Sequence, residues 1–196
     1  MGGMTTASAT YSTAMGHTAS TNGHQGSFVY GDNSTEDIVN VMDDNSFVVR
    51  AAGGTTFYST SDLTSGVRLG AGNGMWSTLS DRNRKHLFRA EDGESVLEKI
   101  AGMPIPSWSY KAQDASFRHL GPMSQDFYAA FGLGQDDLTI GTSDISGVNM
   151  LAIQALEGRT HDLDAVRAEL AEARQRLAAL EAALARLEAA TEANRR

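Results

Sequence analysis

The residues best placed to do chemistry are a serine and a lysine in Ser77-Thr78-Leu79-Ser80-Asp81-Arg82-Asn83-Arg84-Lys85. A serine hydroxyl is a weak nucleophile until a base removes its proton, and a lysine amine acts as that base only when neutral. Neutral lysine requires desolvation or positive neighbours, and Arg82 and Arg84 are the neighbours at hand. Ser–Lys pairs are an established variation on the serine triad. Alone, this spacing arises by chance in most chains, and a polar turn capping a helix accounts for it equally well. Other chemistries have less to work with. Cysteine is absent, which excludes thiol catalysis, disulfides and Cys-ligated zinc. His17, His24, His86, His119 and His161 are scattered without the close helical spacing of a metal motif. No metal and no cofactor are therefore expected.

Composition narrows the partners. The chain has 196 residues, enough for one or two domains with a modest core. Hydrophobic residues make up 41% and the mean hydropathy is -0.29. No apolar run approaches the roughly 20 residues that a membrane span needs. A net charge of -8 and a pI near 5.0 argue against a nucleic-acid partner, since phosphate binding needs a basic face. Met1-Gly2-Gly3-Met4 has neither the basic start nor the apolar stretch of a signal peptide.

The elements that must position the Ser–Lys pair fall into three zones. Residues 1–79 are rich in Gly, Ser and Thr. There Ser12-Thr13-Ala14-Met15-Gly16 is echoed by Ser27-Phe28-Val29-Tyr30-Gly31. Small residues with a glycine at each turn suit short strands coiled into stacked rungs, and a flexible low-complexity linker is the competing reading. Strands are expected at 46–50, 55–59 and 66–69, with Gly53-Gly54 as a hairpin signal between the first two. Ala71-Gly72-Asn73-Gly74 reads as a further turn. These strands hold too little apolar surface for a monomeric sandwich, which points to burial shared among chains.

Residues 80–156 have a globular composition. Glu94 to Ile100 predicts a helix with Val96, Leu97 and Ile100 inward, stopped by Pro104-Ile105-Pro106. Ser107 to Tyr110 alternates like a strand. Pro122 to Phe131 predicts a second helix with Met123, Phe127 and Phe131 inward, and Val148 begins a third. In residues 157–196, Leu163, Val166, Leu170, Ala173, Leu177, Leu180, Leu184 and Leu187 repeat in alternating steps of three and four. That is a heptad seam. Asp162 with Arg167, Glu169 with Arg174 and Arg176 with Glu181 are then attractive pairs between parallel, in-register helices. The leucine core does not fix the strand number.

The segment from Ser80 resembles the start of the C-terminal intramolecular chaperone domains of phage endosialidases, tailspikes and tail fibres. The likeness continues through 96–100 and Trp108-Ser109-Tyr110-Lys111. It is strongest at Arg118-His119-Leu120-Gly121-Pro122-Met123-Ser124-Gln125-Asp126-Phe127, and it closes with 144–148 and 152–156. Zone one more loosely resembles the head repeats of trimeric adhesins. The family resemblance implies an α+β fold and a homotrimer. Its client is the upstream β-fibre of the same chain, released by autoproteolysis. Carried over by position, Ser80 is the nucleophile and Lys85 the general base. Asp81, Asn83 and His119 support them, and the cut falls between Leu79 and Ser80, or alternatively after Ser80. Arg84 stands where the family often has an aliphatic residue. The resemblance implies a virion tail fibre or a cell-surface setting. Competing readings are an uncleaved trimeric fibre tip or adhesin, and a receptor tip with Trp76, Tyr58 and Tyr30 on a host glycan.

Overall fold

The computed structural model describes residues 3–193; Met1, Gly2 and residues 194–196 lie outside them, so the reading of the first four residues is only partly covered. The chain divides into two compact units, Met1–Phe88 and Arg89–Arg196.

The first unit begins with stacked parallel strands. β1 (Thr13–Gly16), β3 (Phe28–Gly31) and β5 (Phe47–Arg50) form one sheet. β2 (Ala19–Ser20) and β4 (Val39–Asn40) form another. The echo seen in the sequence is the register itself: Thr13, Ala14, Met15 and Gly16 lie beside Phe28, Val29, Tyr30 and Gly31. Alternation sends Ala14, Val29 and Val48 inward, where Ala19, Val29 and Val41 are fully buried. Gly16 has φ +86, and an added Cβ would lie 2.0 Å from the Gly31 carbonyl oxygen, so only glycine fits that rung.

The third rung carries Arg50 in this glycine column. Its guanidinium donates to Asp32 Oδ1 (3.1 Å), the Asp32 carbonyl (2.7 Å), Thr18 Oγ1 (2.9 Å) and the carbonyls of His17 (3.2 Å) and Asp37. Arg50 thus satisfies carbonyls at the end of the stack. Hydrogen bonds from the Ser34 hydroxyl, the Ala52 N–H and Arg50 hold the Asp32 carboxyl down to about 2.

Gly53-Gly54 does not close a hairpin between the strand candidates 46–50 and 55–59, contrary to the sequence expectation. β5 pairs in parallel with β3, whereas β6 (Gly54–Tyr58) pairs antiparallel with β7 (Gly66–Gly70). The glycines mark the switch from parallel rungs to an antiparallel sheet, which β8 (Trp76–Thr78) completes. One face of that sheet shows Phe57, Val67, Leu69 and Trp76, with the Phe57 and Trp76 rings 5.6 Å apart. Phe57 and Trp76 are about half exposed, at 53% and 52%.

The second unit holds α1 (Gly93–Gly102), a short antiparallel pair of β9 (Ser107–Trp108) and β10 (His119–Leu120), α2 (Ser124–Phe131) and α3 (Thr142–Ala193). Asp92 caps α1 by accepting from the N–H groups of Glu94 and Ser95. Val96, Phe127, Val148 and Ala152 form its core, with Leu97, Ile100, Phe131, Ile145 and Leu151 packed around them. Gly93 lets α1 approach α3 closely, because an added Cβ would stand 2.9 Å from Ala155 Cβ. Arg159 pairs with Glu94 across the same two helices at 2.8 Å through Nε.

Expected helix boundaries move. α2 starts at Ser124, because Met123 keeps extended backbone as its cap residue. α3 starts at Thr142, ahead of Val148, and runs without a break into the heptad region. No proline lies beyond Pro122 to stop it. No helix among the described residues is long and apolar enough to cross a membrane. The fold is α+β with small sheets and a long C-terminal helix.

Candidate active site

Four residues separate Ser80 from Lys85, and a single 3-10 turn, Arg82–Arg84, folds that interval back on itself. Asp81 caps the turn: its Oδ1 accepts from the Asn83 N–H at 2.9 Å and from Asn83 Nδ2 at 3.2 Å. The Arg84 N–H donates to the Asp81 carbonyl and the Lys85 N–H to that of Arg82, each at 3.1 Å. Aspartate suits this place because its short carboxylate satisfies a free N–H two residues on. Lys85 then leaves the turn in extended backbone, φ -123 and ψ 155. Its Nζ comes to 2.6 Å from Ser80 Oγ. That is hydrogen-bond reach for proton transfer between the two groups.

Upstream, β8 delivers the peptide that precedes the serine. The Leu79 N–H donates to the Gly66 carbonyl at 3.1 Å, continuing the β7–β8 ladder by one residue. Leu79 is half-buried, whereas Ser80 and Lys85 are both exposed. The Leu79–Ser80 peptide thus joins an ordered strand to an exposed turn.

The remaining expected site residues sort as follows. Asp81 and Asn83 act on the backbone of the turn that carries Lys85. The two arginines read as positive neighbours have other engagements. The Arg82 guanidinium lies over the Phe88 ring, 5.2 Å from its centroid. Arg84 reaches the carbonyls of Leu63 and Thr64. His119 belongs to the second unit. It stacks on Trp108 at 4.6 Å, meets Tyr110 at 5.5 Å, and shares a 2.9 Å hydrogen bond with Gln113 Oε1. Beside it the Trp108 indole N–H is buried and has no hydrogen-bond partner among the described residues. The anchoring of Arg84 on a loop about 20 residues upstream left no local signal in the sequence, because nothing in the spacing joins the two.

Residues 80–132 match a family model described as chaperone of endosialidase. Over this stretch the chain is similar to that family. The match begins at Ser80 itself and ends at Gly132, the left-handed cap residue of α2. The family is a self-cleaving peptidase-type domain of phage tail-fibre and endosialidase proteins, and the match supports a chaperone or trimerisation type of role. No curated protein and no solved structure matches the chain.

Proposed function

We propose that this chain is a trimerisation and intramolecular chaperone module for a β-fibre, and that it releases itself by Ser–Lys autoproteolysis at Ser80. The observation that carries the reading is the 2.6 Å approach of Lys85 Nζ to Ser80 Oγ at the first residue of the family match. The functional division then runs 1–79, 80–156 and 157–196: a fibre segment as client, the chaperone, and a coiled coil.

In this reading neutral Lys85 takes the Ser80 hydroxyl proton. Ser80 Oγ attacks the Leu79 carbonyl carbon, and the C–N bond to Ser80 breaks as its nitrogen gains a proton. The peptide has become an ester. Water then attacks the same carbonyl carbon, Oγ leaves and regains its proton, and the products are a Leu79 carboxylate and a free Ser80 amine. Because nucleophile and substrate share one chain, proximity supplies on the order of 7–11 kcal/mol of barrier reduction when the geometry is right. Both side chains are exposed in the single chain. Desolvation of the amine is therefore assigned to packing against the other copies, which links cleavage to assembly.

The test is a denaturing gel of freshly assembled protein incubated at mildly alkaline pH. Wild type is expected to yield two fragments, 1–79 and 80–196. Ser80→Ala is expected to stay one band while remaining a trimer. If wild type assembles and stays intact, the chain is an uncleaved fibre tip or adhesin. Cleavage in Ser80→Ala would move the nucleophile elsewhere.

A further inference from the structure

The loop between β6 and β7 is tied together by its own side chains. Thr60 Oγ1 accepts from the N–H groups of Thr64 (3.1 Å) and Ser65 (3.2 Å). Asp62 Oδ1 accepts from the Thr64 N–H (3.1 Å) and hydroxyl (2.7 Å). Those bonds hold the Asp62 carboxyl below its ordinary range, the Thr64 hydroxyl contributing most. Leu63 sits at φ +59, in the left-handed region, so the loop turns sharply at that residue. Two adjacent carbonyls, those of Leu63 and Thr64, remain to accept. Arg84 Nη1 donates to both, at 3.3 and 3.2 Å.

We propose that Arg84 is a positioning residue that docks the Ser80–Lys85 turn onto the finished β6–β7 hairpin, making cleavage conditional on the folding of this piece of the client. The inference rests on the Ser–Lys reading above. Arg84 is the last residue of the 3-10 turn and the immediate neighbour of Lys85. Fixing its guanidinium restrains the backbone that carries Nζ to Oγ. The acceptor pair exists only when residues 59–65 have closed, with the Ser59 N–H on the Ser65 carbonyl at 3.0 Å. An unfolded client offers no such pair, and the lysine then swings free of the serine. A guanidinium suits this task because its donors are planar and fixed, whereas an ammonium is a point charge on a flexible stem. Arg84 neither carries the proton nor attacks the carbonyl, and Arg84→Lys keeps whatever its charge does for Lys85 while losing the fixed donor pair.

Two measurements test this, one of them independent of cleavage. In the Ser80→Ala protein, adding Arg84→Leu is expected to speed amide hydrogen exchange in 82–85 and 60–65, with the trimer mass unchanged. In the cleaving protein, Arg84→Leu is expected to slow the first-order rate roughly 10- to 100-fold, the scale set by small misplacement of a reacting group. Arg84→Lys should recover only part of that loss, and millimolar methylguanidinium should accelerate Arg84→Ala. Loosening the loop with Asp62→Ala should slow wild type yet add little to Arg84→Leu, because both break one contact. Unchanged exchange in Arg84→Leu would show that no docking exists. Faster exchange with a wild-type cleavage rate would overturn the positioning role. A wild type that never cleaves sinks the Ser–Lys reading and the positioning role with it, while exchange still decides whether Arg84 holds the loop.

Discussion

Lys85 depends on a three-residue turn for its place, and the turn depends on Asp81 for its cap. This gives the pair a chemical signature beyond loss of function. Lys85→Arg is expected to abolish cleavage, because a guanidinium stays protonated and accepts no proton. Asp81→Ala is expected to slow cleavage without abolishing it, since it loosens the turn and spares both reacting groups. The gel time course measures each. The contact between Ser80 and Lys85 was to be expected from their neighbours in the motif and not from their spacing. The contacts of the arginines were not, because a cation's partner 20 residues away is set by the tertiary fold. A separate residue-scale prediction concerns Asp32. Its carboxyl is held down to about 2 in the folded chain against an ordinary 3.8. Its contribution is thus fully present above the ordinary value and is lost as pH falls through about 2. Thermal melts of Ser80→Ala protein should show the first unit weakening between roughly pH 4 and pH 2. In Asp32→Asn the fall should be smaller, because the group that takes up the proton is gone.

At the scale of elements, the sequence echo became a ladder because identical spacing lets side chains of one kind stack in one column. Two rungs were legible for that reason. The third was read as part of a hairpin because Arg50 stands where the others have glycine. A residue that closes a stack breaks the repeat that announces it. The helices of the second unit were readable from apolar periodicity, and their ends moved where the backbone is extended, as at Met123. Phe127 is 2% exposed and belongs to the core formed with Val96, Val148 and Ala152. Phe127→Ala is expected to cost about 3–5 kcal/mol, as large-to-small changes of a buried aromatic do. Denaturant titration of the second unit's helical signal measures it, and a loss under 1 kcal/mol would place the core elsewhere. The heptad half of α3 has no such core within the single chain. Its residues from Glu157 to Ala193 are exposed. Arg167 bonds Asp164 and Arg176 bonds Glu172 along the same helix. Such pairs contribute about 0.3–0.5 kcal/mol each, so they compete only weakly with the interhelical partners Asp162 and Glu181 that the heptad assigns to them.

At the scale of the whole molecule, one chain leaves too much apolar surface in water. The exposed apolar side chains fall on whole faces within each unit: Phe57 and Trp76 on the antiparallel sheet, and Leu163, Leu170, Leu177 and Leu184 along the seam, each about half exposed or more. Contiguous faces of this kind mark association. The partner we propose is a parallel copy of the same helix, which the charge pairs expected along the seam would favour; the number three comes from the family resemblance. Light scattering of the Ser80→Ala protein is accordingly expected to give a trimer mass. Leu170→Glu with Leu177→Glu places two charges in the shared core and should yield monomers. If packing among copies supplies the desolvation that Lys85 lacks alone, those monomers should not cleave, although Ser80, Lys85 and their turn are untouched. Restoring assembly by fusing an unrelated parallel trimeric coiled coil in place of residues 163–196 should restore cleavage. Monomers that cleave at the wild-type rate would show that the exposed pair is competent unaided, and that assembly is not the trigger.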